Sequence, residues 1–454
     1  MKIIIAGAGK IGHAVAALLS EEGHDLTVLD RDPDTIQEIS NELDVICVEG
    51  SATSSEILRE AGAARADLLL AATELDEMNM VCGISARKLG TRHVIARVRN
   101  PEYLQQSEFL REALGLDVLV NPDYECAKEI ARVLRFPGAS RVDAFSKGSV
   151  EIAEHRVGEG SPLDGLALRE LVSRFGAKVL VGVVERGGEG LIPNGATVLQ
   201  AGDRLSITGS PNELRRFFAA IGAYKRPVRR VMLMGGSRIA VYLARMLLES
   251  GLSVTIVERD RARCEELCDL VPRAHIVCGD ATRSDVLLED GLDTADAFVA
   301  LTGEDGDNIV TSLYAHGRGV GKIVAKVNRE HFSNILASSG LDSIVTPKDL
   351  IAQQLARYVR AMANSSGSRM ETLYRLADGQ IEALEFAIEG DSALIGVPLR
   401  QLRLKSGILI SAVIRGNRCL VPDGATVIQP GDHAVIVAKA GRVADADAIL
   451  EERT

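Results

Sequence analysis

The sequence contains two copies of one pattern, and this duplication limits the possible folds more than any other feature. Residues 1–12 read MKIIIAGAGKIG and residues 230–240 read RVMLMGGSRIA, so Gly7 matches Gly235 at an offset of 235 − 7 = 228. A nearly equal offset relates IPNGATV at 192–198 to VPDGATV at 421–427. Because the matches keep the same order along the chain, they predict two similar structural units rather than one large domain.

Each copy divides again into two parts of different character. Residues 1–120 alternate helical segments, such as 11–22 and 76–89, with short apolar runs; the apolar runs lie at 3–6, 25–29, 45–48, 68–72, 94–98 and 118–120. Continuous apolar runs are typical of parallel strands that are covered on both faces. Residues 141–222 instead contain short β-prone pieces separated by turn signals.

These patterns predict an α/β protein with two tandem Rossmann-like, doubly wound parallel-sheet domains, each followed by a small α+β module. We refer to these parts as the first and second parallel-sheet domains and the first and second small modules. The predicted boundaries, in chain order, are 1–121, 141–224, 228–347 and 367–450. A helix over 123–134 is predicted to leave the first parallel-sheet domain. Residues 224–230 are predicted to link the two halves, and 364–368 are predicted to form a loop within the second half.

Composition excludes several classes of protein. The formal net charge of −11 disfavours general nucleic-acid binding, since a phosphate backbone requires a basic surface. Tryptophan is absent and aromatic residues make up 4%, which is too few for a platform of stacked bases. No apolar run approaches the roughly 18–20 residues that span a bilayer. With no signal-peptide pattern at its start, the sequence is expected to act in the cytoplasm.

The turn after the first predicted strand carries the strongest functional signal. Gly7, Gly9 and Gly12 form a G-x-G-x-x-G pattern, and Asp30 ends the next predicted strand, 30 − 12 = 18 residues later. In this context the first glycine permits a tight turn, the second lets the backbone approach a pyrophosphate, and the third allows close helix–strand packing. Asp30 would accept hydrogen bonds from an adenosine ribose, which favours NAD over NADP. The alternative is that the glycines serve packing alone.

Two further residues are predicted at the same edge of the sheet. Thr73 and Arg97 follow the fourth and fifth strands, and ligands of open α/β folds bind where parallel strands end. Arg97 could pair with phosphate groups or could be an ordinary surface arginine at a strand end. The complete candidate first site is Gly7, Ala8, Gly9, Lys10, Ile11, Gly12, Asp30, Ser51, Thr73, Glu74 and Arg97.

The second copy departs from the pattern of the first. Ser237 replaces the second glycine and Ala240 the third, and only the alanine is a usual substitution. The sequence therefore predicts weaker binding in the second copy, with a purely structural second half as the alternative. The complete candidate second site is Gly235, Gly236, Ser237, Arg238, Ile239, Glu258, Asp280, Thr302 and Lys326.

The sequence assigns no metal ligand and no catalytic residue. Cys264, Cys268, His275 and Cys278 lie close together in the chain, but their spacing matches no common zinc pattern and is interpreted as core packing. An NAD-dependent oxidoreductase, the alternative function, would need an acid or base beside the nicotinamide. No Cys-His or Ser-His-Asp combination recurs in the two halves, so a non-enzymatic regulator is favoured.

The repeated motifs resemble the RCK family, the regulators of K⁺ conductance. The resemblance rests on GAGKIG with Asp30, on Gly279-Asp280-Ala281-Thr282, on Ala72-Thr73 with Asn79, and on the paired small modules, and it covers essentially the whole chain. It implies a regulatory subunit that binds NAD(H), and also ATP or ADP in related subunits. Ser51 stands where the family usually has the acidic residue that Asp280 supplies in the second copy.

The same resemblance implies the partners. Its members form a cytoplasmic ring of eight RCK units on the inner face of the membrane, docked to an integral-membrane potassium channel subunit, here of Trk type. Because this chain carries two units, a complete ring would need four chains, and a homotetramer is expected. Ligand binding in the ring would then gate the channel.

Overall fold

The protein is described here from a computed structural model. It describes residues 1–223, 227–328, 341, 343–363, 370–441, 443 and 445–451. The predicted loop at 364–368 and residues 224–226 of the predicted linker at 224–230 lie outside these ranges. Within them, no helix combines the length and the apolar character that would carry it across a membrane.

The first parallel-sheet domain has six strands in the order β3-β2-β1-β4-β5-β6, the doubly wound topology of dinucleotide-binding domains. Its strands are β1 (Lys2–Ala6), β2 (Asp25–Asp30), β3 (Ile46–Glu49), β4 (Leu68–Ala71), β5 (His93–Arg97) and β6 (Val118–Val120). Its helices are α1 (Lys10–Glu21), α2 (Pro33–Glu42), α3 (Ser55–Glu60), α4 (Asp76–Leu89), α5 (Pro101–Gln105), α6 (Ser107–Leu114) and α7 (Pro122–Arg135).

Local sequence explains why these elements begin and pack where they do. Ile3, Ile4 and Ile5 of β1 are all buried, because β1 lies at the centre of the sheet and helices cover both of its faces. Helix α7 begins where the Asn121 side chain accepts a hydrogen bond from the Tyr124 N–H, and Pro122 occupies its first turn.

The first small module is an antiparallel sheet in the order β10-β9-β11-β8-β7 with two short helices. In chain order its elements are β7 (Val142–Phe145), β8 (Val150–Arg156), α8 (Leu171–Phe175), β9 (Leu180–Arg186), β10 (Glu189–Leu191), β11 (Arg204–Gly209) and α9 (Pro211–Ala220). The β-prone pieces predicted from the sequence, at 150–153, 179–184 and 204–208, correspond to β8, β9 and β11. Strands β7 and β10 were not predicted.

The second half repeats both topologies. Its parallel sheet has the order β14-β13-β12-β15-β16-β17 and its antiparallel sheet the order β18-β19-β22-β20-β21. The parallel-sheet elements are β12 (Arg230–Met234), α10 (Arg238–Glu249), β13 (Ser253–Glu258), α11 (Arg261–Leu270), β14 (His275–Cys278), α12 (Ser284–Glu289), β15 (Ala297–Ala300), α13 (Asp305–Gly317), β16 (Lys322–Lys326), β17 (Ile344–Val345) and α14 (Pro347–Ala363). The second small module has β18 (Met370–Leu376), β19 (Ile381–Ala387), β20 (Ile408–Arg415), β21 (Arg418–Leu420) and β22 (His433–Lys439). The predicted fold class is confirmed.

The two halves exchange the helix that follows each parallel sheet. Helix α7 packs on α10 of the second half, where Tyr124 meets Tyr242 edge to face with ring centroids 5.5 Å apart. Helix α14 packs on α1 of the first half, and Leu355 and Val359 are buried in the core beside β1. Each parallel-sheet core is therefore completed by the other half.

The two small modules also share a core. Phe145 and Val183 of the first module pack with Ile381 and Val435 of the second. The Tyr374 hydroxyl of β18 donates a hydrogen bond to the Ala144 carbonyl at 2.8 Å. As a result, a movement of one half is mechanically connected to the other through helices and through sheets.

Candidate functional site

A crevice opens at the carboxyl edge of each parallel sheet, at the point where the strand order reverses. The first crevice has a volume of about 520 Å³ and the second about 370 Å³. Both lie in the size range of small-molecule sites, about 300–1,000 Å³. This location is where doubly wound folds bind their ligands.

The glycine turn shapes the floor of the first crevice. Gly7 has φ +104°, and a Cβ built there would lie 2.6 Å from the backbone nitrogen of Thr73. A Cβ on Gly12 would lie 1.9 Å from the Gly7 carbonyl oxygen. Both glycines are therefore required by the backbone itself, as the packing interpretation proposed.

Gly9 is different, because packing does not explain it. Among the described residues, no heavy atom lies within 4 Å of a Cβ built on Gly9, and its φ of −63° is open to any residue. Gly9 precedes α1, and no side chain of the described residues caps that helix. The first N–H groups of α1 thus face open space, which is the arrangement that binds phosphate at a helix N-terminus. The space in front of the α1 N-terminus is open because residue 9 is a glycine, and any longer side chain there would occupy it.

Asp30 connects the second strand to the glycine turn. Its Oδ2 accepts a hydrogen bond from the Ala8 N–H at 2.6 Å, and its Oδ1 accepts one from the Asp32 N–H at 3.1 Å. A carboxylate has about four lone-pair positions, so each oxygen can accept a further hydrogen bond from a ligand hydroxyl. Asp30 therefore braces the turn and keeps acceptor positions for a ligand that enters the crevice.

We expect the Asp30→Ala variant to bind adenine nucleotides at the first crevice about 10- to 100-fold more weakly. The loss of a hydrogen bond to a charged group costs on the order of 1.5–3 kcal/mol, and the turn loses its brace. Calorimetric titration measures the change, and Glu258→Ala in the second half is the matched control. If the affinity of the first crevice stays the same in Asp30→Ala, Asp30 does not hold the ribose.

A buried asparagine fixes the ends of the fourth and fifth strands. The Asn79 Oδ1 accepts hydrogen bonds from the Thr73 N–H at 2.7 Å and from its hydroxyl at 2.6 Å. The Asn79 Nδ2 donates to the carbonyls of Thr73 at 3.1 Å and Arg97 at 3.0 Å. Asn308 makes the same four bonds with Thr302 and Lys326 in the second half. Sequence reasoning placed Asn79 in the repeat but assigned it no role.

Two arginines stand on the wall of the first crevice. Arg97 is only 7% exposed, which rules out the surface interpretation, and its guanidinium donates to the Thr73 carbonyl. Burial, together with the neighbouring Arg99, lowers the pKa of Arg97 to about 10, so it remains charged at neutral pH. The buried Nε atoms of Arg97 and Arg99 have no hydrogen-bond partner among the described residues. Unpaired guanidinium donors beside an open helix N-terminus fit an anionic ligand.

The structure brings most of the predicted first-site residues together. The predicted residues that line the crevice are Gly7, Gly9, Lys10, Ile11, Asp30, Ser51, Thr73, Glu74 and Arg97. Ala8 and Gly12 are buried in the turn beneath it. Lining residues that sequence reasoning missed include Arg31, Asp32, Thr35, Met78 and Arg99. The sequence signal that could have indicated Arg99 is the Arg97-x-Arg99 pattern at the end of the fifth strand.

The second crevice is built on the same plan but is closed at its phosphate end. Glu258 braces the turn as Asp30 does, with its Oε2 accepting from the Gly236 N–H at 2.6 Å. Ser237, however, caps helix α10, and its hydroxyl oxygen accepts from the Ala240 N–H at 3.4 Å. The hydroxyl therefore occupies the space that is open at Gly9.

Charge also separates the two crevices. The first is lined by four basic and three acidic side chains, and the second by two basic and four acidic side chains. In the second, two hydrogen bonds from Thr282 lower the pKa of Asp280, which keeps that carboxylate ionised. A diphosphate is therefore favoured in the first crevice on electrostatic grounds as well.

Two predicted residues do not line the second crevice. Arg238 points to α7, where its Nε lies 3.1 Å from the Asp123 carboxylate, and Ile239 is buried in the core. The others do line it, namely Gly235, Gly236, Ser237, Glu258, Asp280, Thr302 and Lys326. The interpretation of Cys264, Cys268, His275 and Cys278 as core packing holds only for Cys264, which is buried; the other three are exposed, because they lie on the outer faces of α11 and β14.

The Ser237→Gly variant is expected to strengthen nucleotide binding at the second crevice by about tenfold. Removing the hydroxyl frees the N–H groups of α10 for phosphate, whereas replacing a serine cap by glycine costs only a few tenths of a kcal/mol. A two-site titration against the wild type provides the measurement. An unchanged or weaker second site would show that the cap is not what limits binding.

Comparison with known proteins gives a consistent picture. The TrkA-N domain profile matches residues 3–122 and 231–347, and the TrkA-C domain profile matches 152–222 and 383–451. The chain is 36% identical to a Trk system potassium uptake protein TrkA homolog of Archaeoglobus fulgidus over 97% of each chain. It is 31% identical to Trk system potassium uptake protein TrkA of Vibrio alginolyticus over 99% of each chain.

A solved structure has the same fold. The GsuK channel bound to NAD superposes with a TM-score of 0.63 at 21% identity, covering 97% of this chain and 77% of that one. At this level of identity the likeness concerns the fold alone. Because the profiles match both halves and the relatives match nearly the whole sequence, the chain belongs to the TrkA family of Trk system potassium uptake proteins.

Proposed function

We propose that this protein is the nucleotide-sensing regulatory subunit of a Trk-type potassium uptake channel. The observation that carries the proposal is the first crevice, where an uncapped helix N-terminus, Asp30 and two arginines with unpaired donors face one another. This set matches a ligand with a ribose at one end and a diphosphate in the middle. NAD(H) has these groups, and so do ATP and ADP.

The exchanged helices connect the first crevice mechanically to the second small module. The N-terminus of α1 borders the crevice, and the body of α1 packs on α14, which leads into the second small module. The guanidinium of Arg360 on α14 pairs with the Glu22 carboxylate just after α1. A shift of α1 on binding would move α14 with it. A ligand acts in this way only through its different affinity for the two arrangements.

The proposed assembly is a homotetramer that forms a gating ring on the cytoplasmic face of the membrane. Two observations support this assembly. The sequence is duplicated, so four chains supply eight parallel-sheet domains, and the chain belongs to the TrkA family. The channel subunit is the expected partner. Domain boundaries at 1–121, 141–224, 228–347 and 367–450 remain the proposed division.

The oxidoreductase alternative lacks a supporting contact. His155 of the first small module packs against Phe218 and donates its Nδ1–H to the Gly138 carbonyl at 2.7 Å, away from the residues that line the first crevice. His433 belongs to the second small module. Neither histidine is among the residues that line the two crevices.

Calorimetric titration with NAD⁺, NADH, ATP and ADP tests the proposal. We expect one strong site per chain, weakened about 10- to 100-fold in an Asp30→Ala variant, and no NADH oxidation in the presence of simple carbonyl substrates. Failure of all four ligands to bind would refute the sensor, and steady NADH turnover would favour the oxidoreductase.

A further inference from the structure

A cluster of three metal-ligating side chains lies in the second small module, outside the linings of both crevices. Glu371 is on β18, Glu385 on β19 and His433 on β22, three neighbouring strands of one sheet. One ligand atom from each residue lies within 4.8 Å of the others. The three positions are distant in sequence, which explains why sequence reasoning assigned no metal ligand.

The distances at this cluster suit a small cation. His433 Nδ1 lies 3.1 Å from Glu385 Oε1 and 3.2 Å from Glu371 Oε2. Ligand atoms bound at about 2.0–2.2 Å to a tetrahedral zinc ion lie about 3.3–3.6 Å apart. Two of the three edges are thus already close to the length that a zinc ion requires.

Hydrogen bonds reach the cluster, but among the described residues no lysine or arginine brings it a positive charge. Nδ1 carries at most one proton, which it cannot direct fully to two carboxylates at once. Glu385 is 1% exposed, and among the described residues neither carboxylate has a lysine or arginine within ion-pair distance. A buried carboxylate without a full positive charge is costly, and a divalent cation would remove that cost.

The first small module provides an internal comparison. His433 is the first residue of β22, and the equivalent first residue of β11 is Arg204, whose guanidinium lies 3.7 Å from Glu185. The first module therefore has a permanent positive charge where the second has a metal-ligating imidazole. The replacement makes the second module alone suited to a metal.

We propose that Glu371, Glu385 and His433 form a site for a divalent transition metal of the zinc class. An imidazole with two carboxylates suits such ions better than Mg²⁺ or Ca²⁺, which prefer oxygen ligands throughout. A water would complete the fourth position. The proposal does not depend on the proposed nucleotide function.

The site also touches the other small module. The Ser146 N–H donates to Glu385 Oε2 at 3.1 Å, and the Ser146 hydroxyl donates to Glu385 Oε1. Hydrogen bonds to a ligating carboxylate orient it for the metal. Metal binding is therefore coupled to the contact between the modules, and Ser146→Ala should weaken zinc binding by about 10- to 100-fold.

Zinc titration of chelator-treated full-length protein tests the site. The His433→Arg variant copies the first module and should fold, and we expect it to bind one Zn²⁺ fewer per chain than the wild type. His13→Arg, at a half-buried histidine whose Nε2 lies 2.8 Å from Glu42, is the matched control and should bind the same number as the wild type.

The visible absorption of bound Co²⁺ is a second readout, which distinguishes loss of the metal site from loss of folding. With Co²⁺ in place of Zn²⁺, the wild type should show the visible absorption of a nitrogen- and oxygen-ligated ion, and Glu371→Gln should lose it while unfolding at the same temperature without metal. Equal zinc stoichiometry in wild type and His433→Arg, or no zinc binding by the wild type, would overturn the proposal.

Discussion

A Gly9→Val variant should fold normally and lose nucleotide binding at the first crevice by at least about a hundredfold, a loss of about 2.8 kcal/mol. The backbone at Gly9 accepts any residue, and a Cβ there meets no described heavy atom within 4 Å. The added side chain would instead occupy the space in front of the α1 N-terminus, where the diphosphate is proposed to lie. Calorimetry on the purified variant measures the loss.

The matched control for Gly9→Val is Gly158→Val. Gly158 also lacks a positive φ and has no described atom within 4 Å of an added Cβ, but it lies in the first small module. We expect Gly158→Val to bind as the wild type does. A Gly9→Val protein that unfolds at the wild-type temperature and still binds with normal affinity would show that the ligand lies elsewhere.

The Asn79→Leu variant should have the largest effect on stability. It removes four hydrogen bonds and leaves the Thr73 N–H and the Arg97 carbonyl without their partner in a buried setting. Each buried polar group left unpaired costs about 1–3 kcal/mol, so we expect the free energy of unfolding of the protein to fall by roughly 3 kcal/mol or more. Denaturant titration followed by circular dichroism provides the value.

Asn41→Leu is the control for Asn79→Leu. Asn41 is exposed near the end of α2, and its side chain accepts one hydrogen bond from Gln37 at 3.2 Å. A change of less than about 0.5 kcal/mol is expected there. If the two variants unfold at the same denaturant concentration, the asparagine does not hold the strand ends together. Loss of nucleotide affinity in Asn79→Leu at temperatures where it remains folded would show that strand-end geometry also shapes the crevice.

The sequence was sufficient to predict the duplication, both sheet types and most of the first crevice. The reason is that these features depend on residues close together in the sequence. A glycine turn after an apolar strand occurs in few folds, and an acidic residue such as Asp30 at the expected spacing restricts the choice further. In the first parallel-sheet domain, the observed strand ends differ from the predicted ones by at most one residue. For example, the run at 94–98 corresponds to β5 (His93–Arg97).

Long-range partners could not be predicted. The apolar face of α14 is visible in the sequence, but periodicity does not say that Leu355 packs beside β1 of the other half. The short edge strand Glu189–Leu191 and the three-strand cluster around His433 depend on sheet register, which forms only in the fold. Ser237 was recognised as an obstacle, yet its role as a helix cap required the coordinates.

The central claim is that nucleotide binding in the first crevice changes the shape of a ring of four chains. Small-angle scattering coupled to size-exclusion chromatography tests it most directly, with ligand-free, NADH-saturated and ATP-saturated protein and with Gly9→Val as control. We predict a particle of four times 48.5 kDa, or 194 kDa, whose scattering profile differs between the two ligands in the wild type and stays fixed in Gly9→Val. A monomer, or identical profiles for every saturating nucleotide in the wild type, would contradict the account.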